Sequence, residues 1–169
     1  MTLDRFVKKR VWALALVCLQ WSAGASAEQT ADEGPALASA VTCAGDDRYE
    51  RGLERLDQIT QGQGRAVVNS LSDISPDLGR YIIEYPYGDV FCRSGLTDQQ
   101  RQLATIAALA ALGYTAPELR VHIHGALNVG LTEEEVVETM ILMSVYAGFP
   151  ASLHGLRAAR EVFEARAQD

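Results

Sequence analysis

The chain has 169 residues, 48% hydrophobic, 22% charged and 7% aromatic. This composition excludes a disordered tail, a collagen-like fibre and a disulfide-dense miniprotein, and the length argues against more than one full domain. The net charge of −7, from 15 basic and 22 acidic residues, disfavours nucleic acid as a partner, since binding it needs cations to meet phosphates.

Residues 1–27 read as a secretory signal. Arg5, Lys8, Lys9 and Arg10 precede an apolar stretch, Val11 to Trp21, and Ala25-Ser26-Ala27 supplies a small-x-small cleavage site. The apolar stretch is shorter than the ~20 residues of a membrane span, so no span is expected after cleavage. Cleavage would leave 142 residues with a net charge of −10 and no lysine. The expected location is periplasmic or secreted. Cys43 and Cys92 would then sit where disulfides persist and could pair, although nothing in the spacing shows them close.

Residues 28–45, rich in Ala, Ser, Thr, Gly and acids, read as a flexible leader to a domain over 46–169. Asp46 or Asp47 can cap a helix with Tyr49, Leu53, Leu56 and Ile59 on one face, broken at Gln61 to Arg65 by two glycines. Ser75-Pro76 starts the next, faced by Leu78, Tyr81, Ile82 and Tyr85, and Pro86 should end or kink it. Thr97 to Gln100 is a capping box opening an Ala/Leu-rich helix to about Leu112, with Gly113 at its end. Thr115 or Ala116, before Pro117, starts a helix that ends at Gly130. Thr132 to Glu135 is a second capping box, opening a helix with Val136, Met140, Ile141 and Ser144 on one side. Gly148-Phe149-Pro150 interrupts, and a last helix points Leu153, Leu156, Ala159 and Phe163 inward. No convincing strand alternation occurs, so the fold class is all-α.

Leu119, Ile123, Ala126 and Leu127 define a buried helix face with His122 at its edge and His124 opposite. Partial burial would shift the pKa of His122. Two histidines two residues apart cannot chelate one ion on a helix, so no metal site is expected. Tyr87-Gly88-Asp89 and Arg93-Ser94-Gly95-Leu96 form a polar stretch between helices, read as a loop. Arg93 and Arg101 have the guanidinium geometry that clamps carboxylates.

Taken in order, these pieces resemble the carboxymuconolactone decarboxylase family from about Arg48 to Phe163. The resemblance rests on Arg48-Tyr49-Glu50-Arg51-Gly52, Tyr85-Pro86-Tyr87-Gly88-Asp89, Arg93 to Thr97 and Arg101. It continues through Glu118-Leu119-Arg120-Val121-His122, Ala126 to Thr132, Tyr146-Ala147-Gly148-Phe149-Pro150 and His154. It implies a helical protomer that assembles as a trimer or hexamer, without metal or organic cofactor. It also implies removal of carbon dioxide from 4-carboxymuconolactone, a small anionic lactone. The electrons left behind pass through the ring double bond to the lactone carbonyl, and a proton returns to carbon. On this resemblance His122 and Asp89 are the candidate catalytic residues. Arg93, Arg101, His154 and Tyr146 are the candidate substrate contacts. The related alkylhydroperoxidase-like proteins carry Cys-x-x-Cys ahead of the matching histidine, where this chain has Thr115 and Glu118. The family usually has Trp-Gly-Glu at Tyr87-Gly88-Asp89 and Arg at His124, and that pathway is cytoplasmic. Two alternatives accompany the decarboxylase reading: a peroxidase using Cys43 or Cys92 as a lone thiol, and a ligand-binding ring without chemistry.

Overall fold

Asp47 opens the first helix of the computed structural model, which describes residues 43–168. The signal segment 1–27 and nearly all of the leader 28–45 lie outside the described residues. The Asp47 carboxylate accepts hydrogen bonds from the backbone nitrogens of Tyr49 and Glu50 at 2.8 and 3.0 Å, capping α1 (Arg48–Thr60). Gln61 (φ 49°) and Gly62 (φ 91°) turn the chain through the left-handed region and end α1. The same turn starts a short helix, α2 (Gln63–Asn69), in the stretch read only as a break. Its start is fixed by Gly64, whose nitrogen donates to Thr60 Oγ1 at 3.0 Å.

Helix α3 (Pro76–Ile82) begins at the expected proline. Its α winding ends at Ile82, four residues before Pro86. The chain passes straight into a π-helix, Ile83–Val90, with Pro86 inside it. Proline donates no hydrogen bond, and the wider i→i+5 winding still uses its carbonyl: the Phe91 nitrogen reaches Pro86 O at 2.7 Å. Tyr87-Gly88-Asp89 is therefore helical and not a loop. The buried face also differs from the expected one. Leu78, Tyr81 and Tyr85, expected inside, are exposed, while Ile83 and Tyr87 are buried.

Both capping boxes form, at α4 (Asp98–Leu112) and α6 (Glu133–Tyr146). Between them lies α5 (Ala116–Asn128), and α7 (Gly148–Arg166) follows α6. No strand occurs among the described residues, so the class is all-α. No described helix is long and apolar enough to cross a membrane. Helix α6 buries Val136, Met140 and Met143 rather than Ile141 and Ser144. In α7, Ala151, Ala158, Ala159 and Val162 point inward, and Leu153 does not. Both helices are apolar on more than one side, so periodicity could not choose the buried one. The remainder is an exposed apolar face: Ile141, Leu142, Val145, Tyr146 (79% exposed), Phe149 (74%) and Leu153.

The core forms two clusters. The larger joins α4, α5, α6 and α7 around Ile106, Ile123, Val136 and Met140. The smaller joins α1 to the π-helix through Leu56, Ile59, Ile83 and Tyr87. In the second, backbones approach closely because two glycines face each other. A Cβ on Gly52 would overlap the Ile83 carbonyl, and one on Gly88 would lie 2.7 Å from Arg48 O. Gly52→Ala should therefore lower unfolding stability by about 2 kcal/mol or more in urea titrations. Gly95→Ala, where a Cβ meets nothing within 4 Å, should stay within about 0.5 kcal/mol of wild type.

Candidate functional site

Between the two clusters lies a cavity of about 280 Å³. Helices α1 and α2 give it Leu56, Gly64 and Val67. Ile82 and the π-helix residues Pro86 and Tyr87, with Phe91 just beyond, form a second wall. Thr105 of α4 and Glu118, Val121 and His122 of α5 close it. Most of this lining is hydrocarbon or aromatic ring. The Tyr87 and Phe91 rings stack at 5.1 Å between centroids, and burial pushes the Tyr87 hydroxyl up to about 12, so it stays protonated.

His122 is the cavity's imidazole. Burial lowers its pKa to about 4, against a smaller opposing pull from the Glu118 carboxylate. At neutral pH the ring is uncharged. Its Nδ1 lies 3.3 Å from Gln102 Oε1, so Nε2 is the ring nitrogen that Gln102 does not engage. Glu118, one helical turn before His122, lines the same cavity and is exposed to solvent.

The other residues singled out by sequence are dispersed. Asp89 does not line the cavity. Its carboxylate pairs with Arg48, which donates from Nε at 3.0 Å and also from Nη2, and lies 3.7 Å from Arg51 Nη2. The Arg48 hydrogen bonds hold that carboxyl below its ordinary range, so it is ionised. With the Arg51 Nε bond to Gly88 O at 3.0 Å, this set locks α1 to the π-helix. Arg101 is nine-tenths buried in α4. One of its nitrogens donates to Arg93 O, its Nε has no hydrogen-bond partner, and it forms no ion pair among the described residues. Thr105, one turn further along α4, lines the cavity and donates from Oγ1 to Arg101 O at 2.8 Å. Arg93 is exposed between the π-helix and α4. Tyr146 and His154 are exposed at the α6–α7 end, where the apolar face lies, and do not line the cavity.

Three contributors were missed from sequence. Glu118 was readable from its i, i+4 spacing to His122. Gln102 sits among apolar neighbours in α4 and gave only the weak signal of an amide on a buried face. Arg55, 3% exposed, pairs with Asp98 and donates from Nε to Phe91 O at 3.4 Å, fixing the cavity's aromatic wall to α4. It shares the buried side of α1 with Leu56 and Ile59.

Cys43 and Cys92 are joined in a disulfide. Neither is a free thiol, which removes the lone-thiol peroxidase alternative for these two residues. No group of three or more His, Cys, Asp or Glu side chains is placed to hold a metal among the described residues. A separate polar hollow of about 340 Å³, lined by Thr60, Gln61, Gln63, His124, Asn128 and Arg166, lies elsewhere on the surface.

The pH dependence of stability follows from the His122 burial. The ring titrates near 4 in the folded chain and near 6.5 when unfolded. Between these values the unfolded chain binds more protons. The contribution is therefore full above about 6.5 and is lost as pH falls through about 4. Ring NMR titration should give a midpoint near 4, and His122→Leu should flatten the stability profile across that window. A midpoint at 6.5 in the folded protein would contradict the burial.

Residues 76–161 match the model of the carboxymuconolactone decarboxylase family. The 4-carboxymuconolactone decarboxylase of Acinetobacter baylyi is 37% identical over 120 residues, which span 70% of this chain and 89% of the relative. An uncharacterized 15.0 kDa protein of Paracoccus denitrificans is 29% identical over 126 residues, spanning 69% and 94%. The nitrosuccinic acid decarboxylase of Metarhizium robertsii is 37% identical over 76 residues, which cover 44% of this chain and 52% of that protein. Two of these three relatives carry decarboxylase names.

Proposed function

Because the chain belongs to the carboxymuconolactone decarboxylase family, we propose that it is a cofactor-independent carboxy-lyase. Its substrate is a small carboxylated lactone or a related organic acid. One observation carries the reading: His122 presents an uncharged imidazole to a largely apolar cavity. Loss of carbon dioxide breaks a carbon–carbon bond and leaves its electron pair on the substrate. An apolar cavity favours that step, because a carboxylate is held less well by hydrocarbon than by water, while the delocalised product charge suffers less. The reaction consumes one proton. A bound carboxylate raises the affinity of His122 for a proton, and Nε2 then delivers that proton to carbon. Glu118, open to solvent one turn away, returns a proton from water to the ring.

Arg101 is the carboxylate clamp in this reading. A buried guanidinium without an anionic partner is costly, and an incoming carboxylate would supply one. Arg93 is a rim contact. Asp89 acts by holding the π-helix, and with it Tyr87, in place. Export to the periplasm or beyond accords with the signal-like segment and with a disulfide, which persists in oxidising compartments. The purified protein should release carbon dioxide from 4-carboxymuconolactone or a close analogue. His122→Gln should lower kcat by about 100-fold. Arg101→Gln should chiefly raise KM, by roughly tenfold. Equal turnover by wild type and His122→Gln would overturn the assignment.

The exposed apolar face of α6 and α7 supports assembly of copies of this chain into a trimer or hexamer, which would bring Tyr146 and His154 against a neighbour. Isolated monomers rarely leave so many large apolar side chains together in water. Light scattering should report an oligomer for wild type and a smaller species for the double variant Val145→Glu, Phe149→Glu. A monomeric wild type would reject the assembly.

A further inference from the structure

Gln102 occupies a position where packing alone would favour Leu or Met. It is fully buried in α4, beside Ile106 of the larger core cluster. Its Oε1 lies 3.3 Å from His122 Nδ1, and its Nε2 has no hydrogen-bond partner. Burying an amide with half its capacity unused costs stability. The facing helix makes room for it. Gly125, three residues after His122 in α5, would with a Cβ lie 3.2 Å from Ile59 Cγ2, 3.3 Å from Gln102 Nε2 and 3.5 Å from its Cδ. A glycine that spares space for a half-satisfied amide, which in turn touches the cavity's only imidazole among the described residues, fits one role.

We propose that Gln102 is a positioning residue: its Oε1 accepts the Nδ1 proton of His122, fixing the tautomer and leaving Nε2 as the nitrogen that exchanges protons with the cavity. The Nδ1 bond is retained whether Nε2 is bare or protonated, so the ring cycles one proton without turning. The catalytic consequence rests on the decarboxylase reading. The hydrogen bond and the tautomer do not.

The test is nitrogen NMR of the histidine rings in the whole protein at neutral pH, with His122 identified by its loss in His122→Gln. Wild type should carry the proton on Nδ1. Gln102→Leu should move it to Nε2, and Gln102→Glu, which keeps an acceptor oxygen, should hold it on Nδ1. The Leu variant should melt at or above wild type, because the orphaned donor is gone. Its kcat should fall by about 100-fold with KM little changed, and the Glu variant should recover part of that loss. A wild-type proton on Nε2, or a Leu variant that keeps the proton on Nδ1, would overturn the proposal. If the tautomer moves as stated while wild type decarboxylates nothing, the activity fails and the positioning stands. If wild type decarboxylates and the tautomer ignores Gln102, the activity stands and the positioning fails.

Discussion

The close approach of α1 and the π-helix is the constraint on which the site depends. Gly52 and Gly88 let the two backbones meet where any side chain would hold them apart. The Arg48, Arg51 and Asp89 contacts then clamp the same pair at its solvent edge. That spacing decides where Tyr87 and Phe91 stand, and so decides the width of the cavity facing His122. The residues matched to the family in this region are therefore mostly builders of the wall. The imidazole that lines the cavity stands on α5, with Gln102 of α4 against it.

The site also shows how one environment can set two protonation states. Burial keeps the Tyr87 hydroxyl protonated and the His122 imidazole bare, because in both cases hydrocarbon disfavours the charged form. A cavity with neutral groups on opposite walls exerts little field on an entering ligand. Charge enters at its edge, from Glu118 at the surface. That separation suits a reaction whose charge begins on one atom and ends spread over several.

Much of this was legible in the sequence. Capping boxes at Thr97 and Thr132 marked two helix starts, because local hydrogen bonds decide a helix end. The edge position of His122 followed from helical spacing. The π-helix was not legible: Pro86 signals a break under the i→i+4 rule, and only the packed structure reveals a winding that tolerates it. Within that winding Tyr85 is exposed and Tyr87 is buried. The buried sides of α6 and α7 were ambiguous for another reason. Where a helix is apolar around its circumference, as at Ile141 and Leu153, the sequence does not say which side is packed. Asp89 and Arg101 were singled out by residue type alone. Their partners depend on folding and could not be read in advance.

The Cys43–Cys92 bond closes a loop with a sequence separation of 49. That loop contains α1, α2, α3 and the π-helix, which is the part of the protein with the smaller core. A chain segment that borders a hollow leaves that volume unfilled by packed side chains. Covalent closure offers stability of another kind, since restricting the unfolded loop is worth about 4 kcal/mol on the chain-entropy account. The cross-link thus lies on the side of the molecule where emptiness is kept, and it acts on the unfolded chain without occupying any of that space.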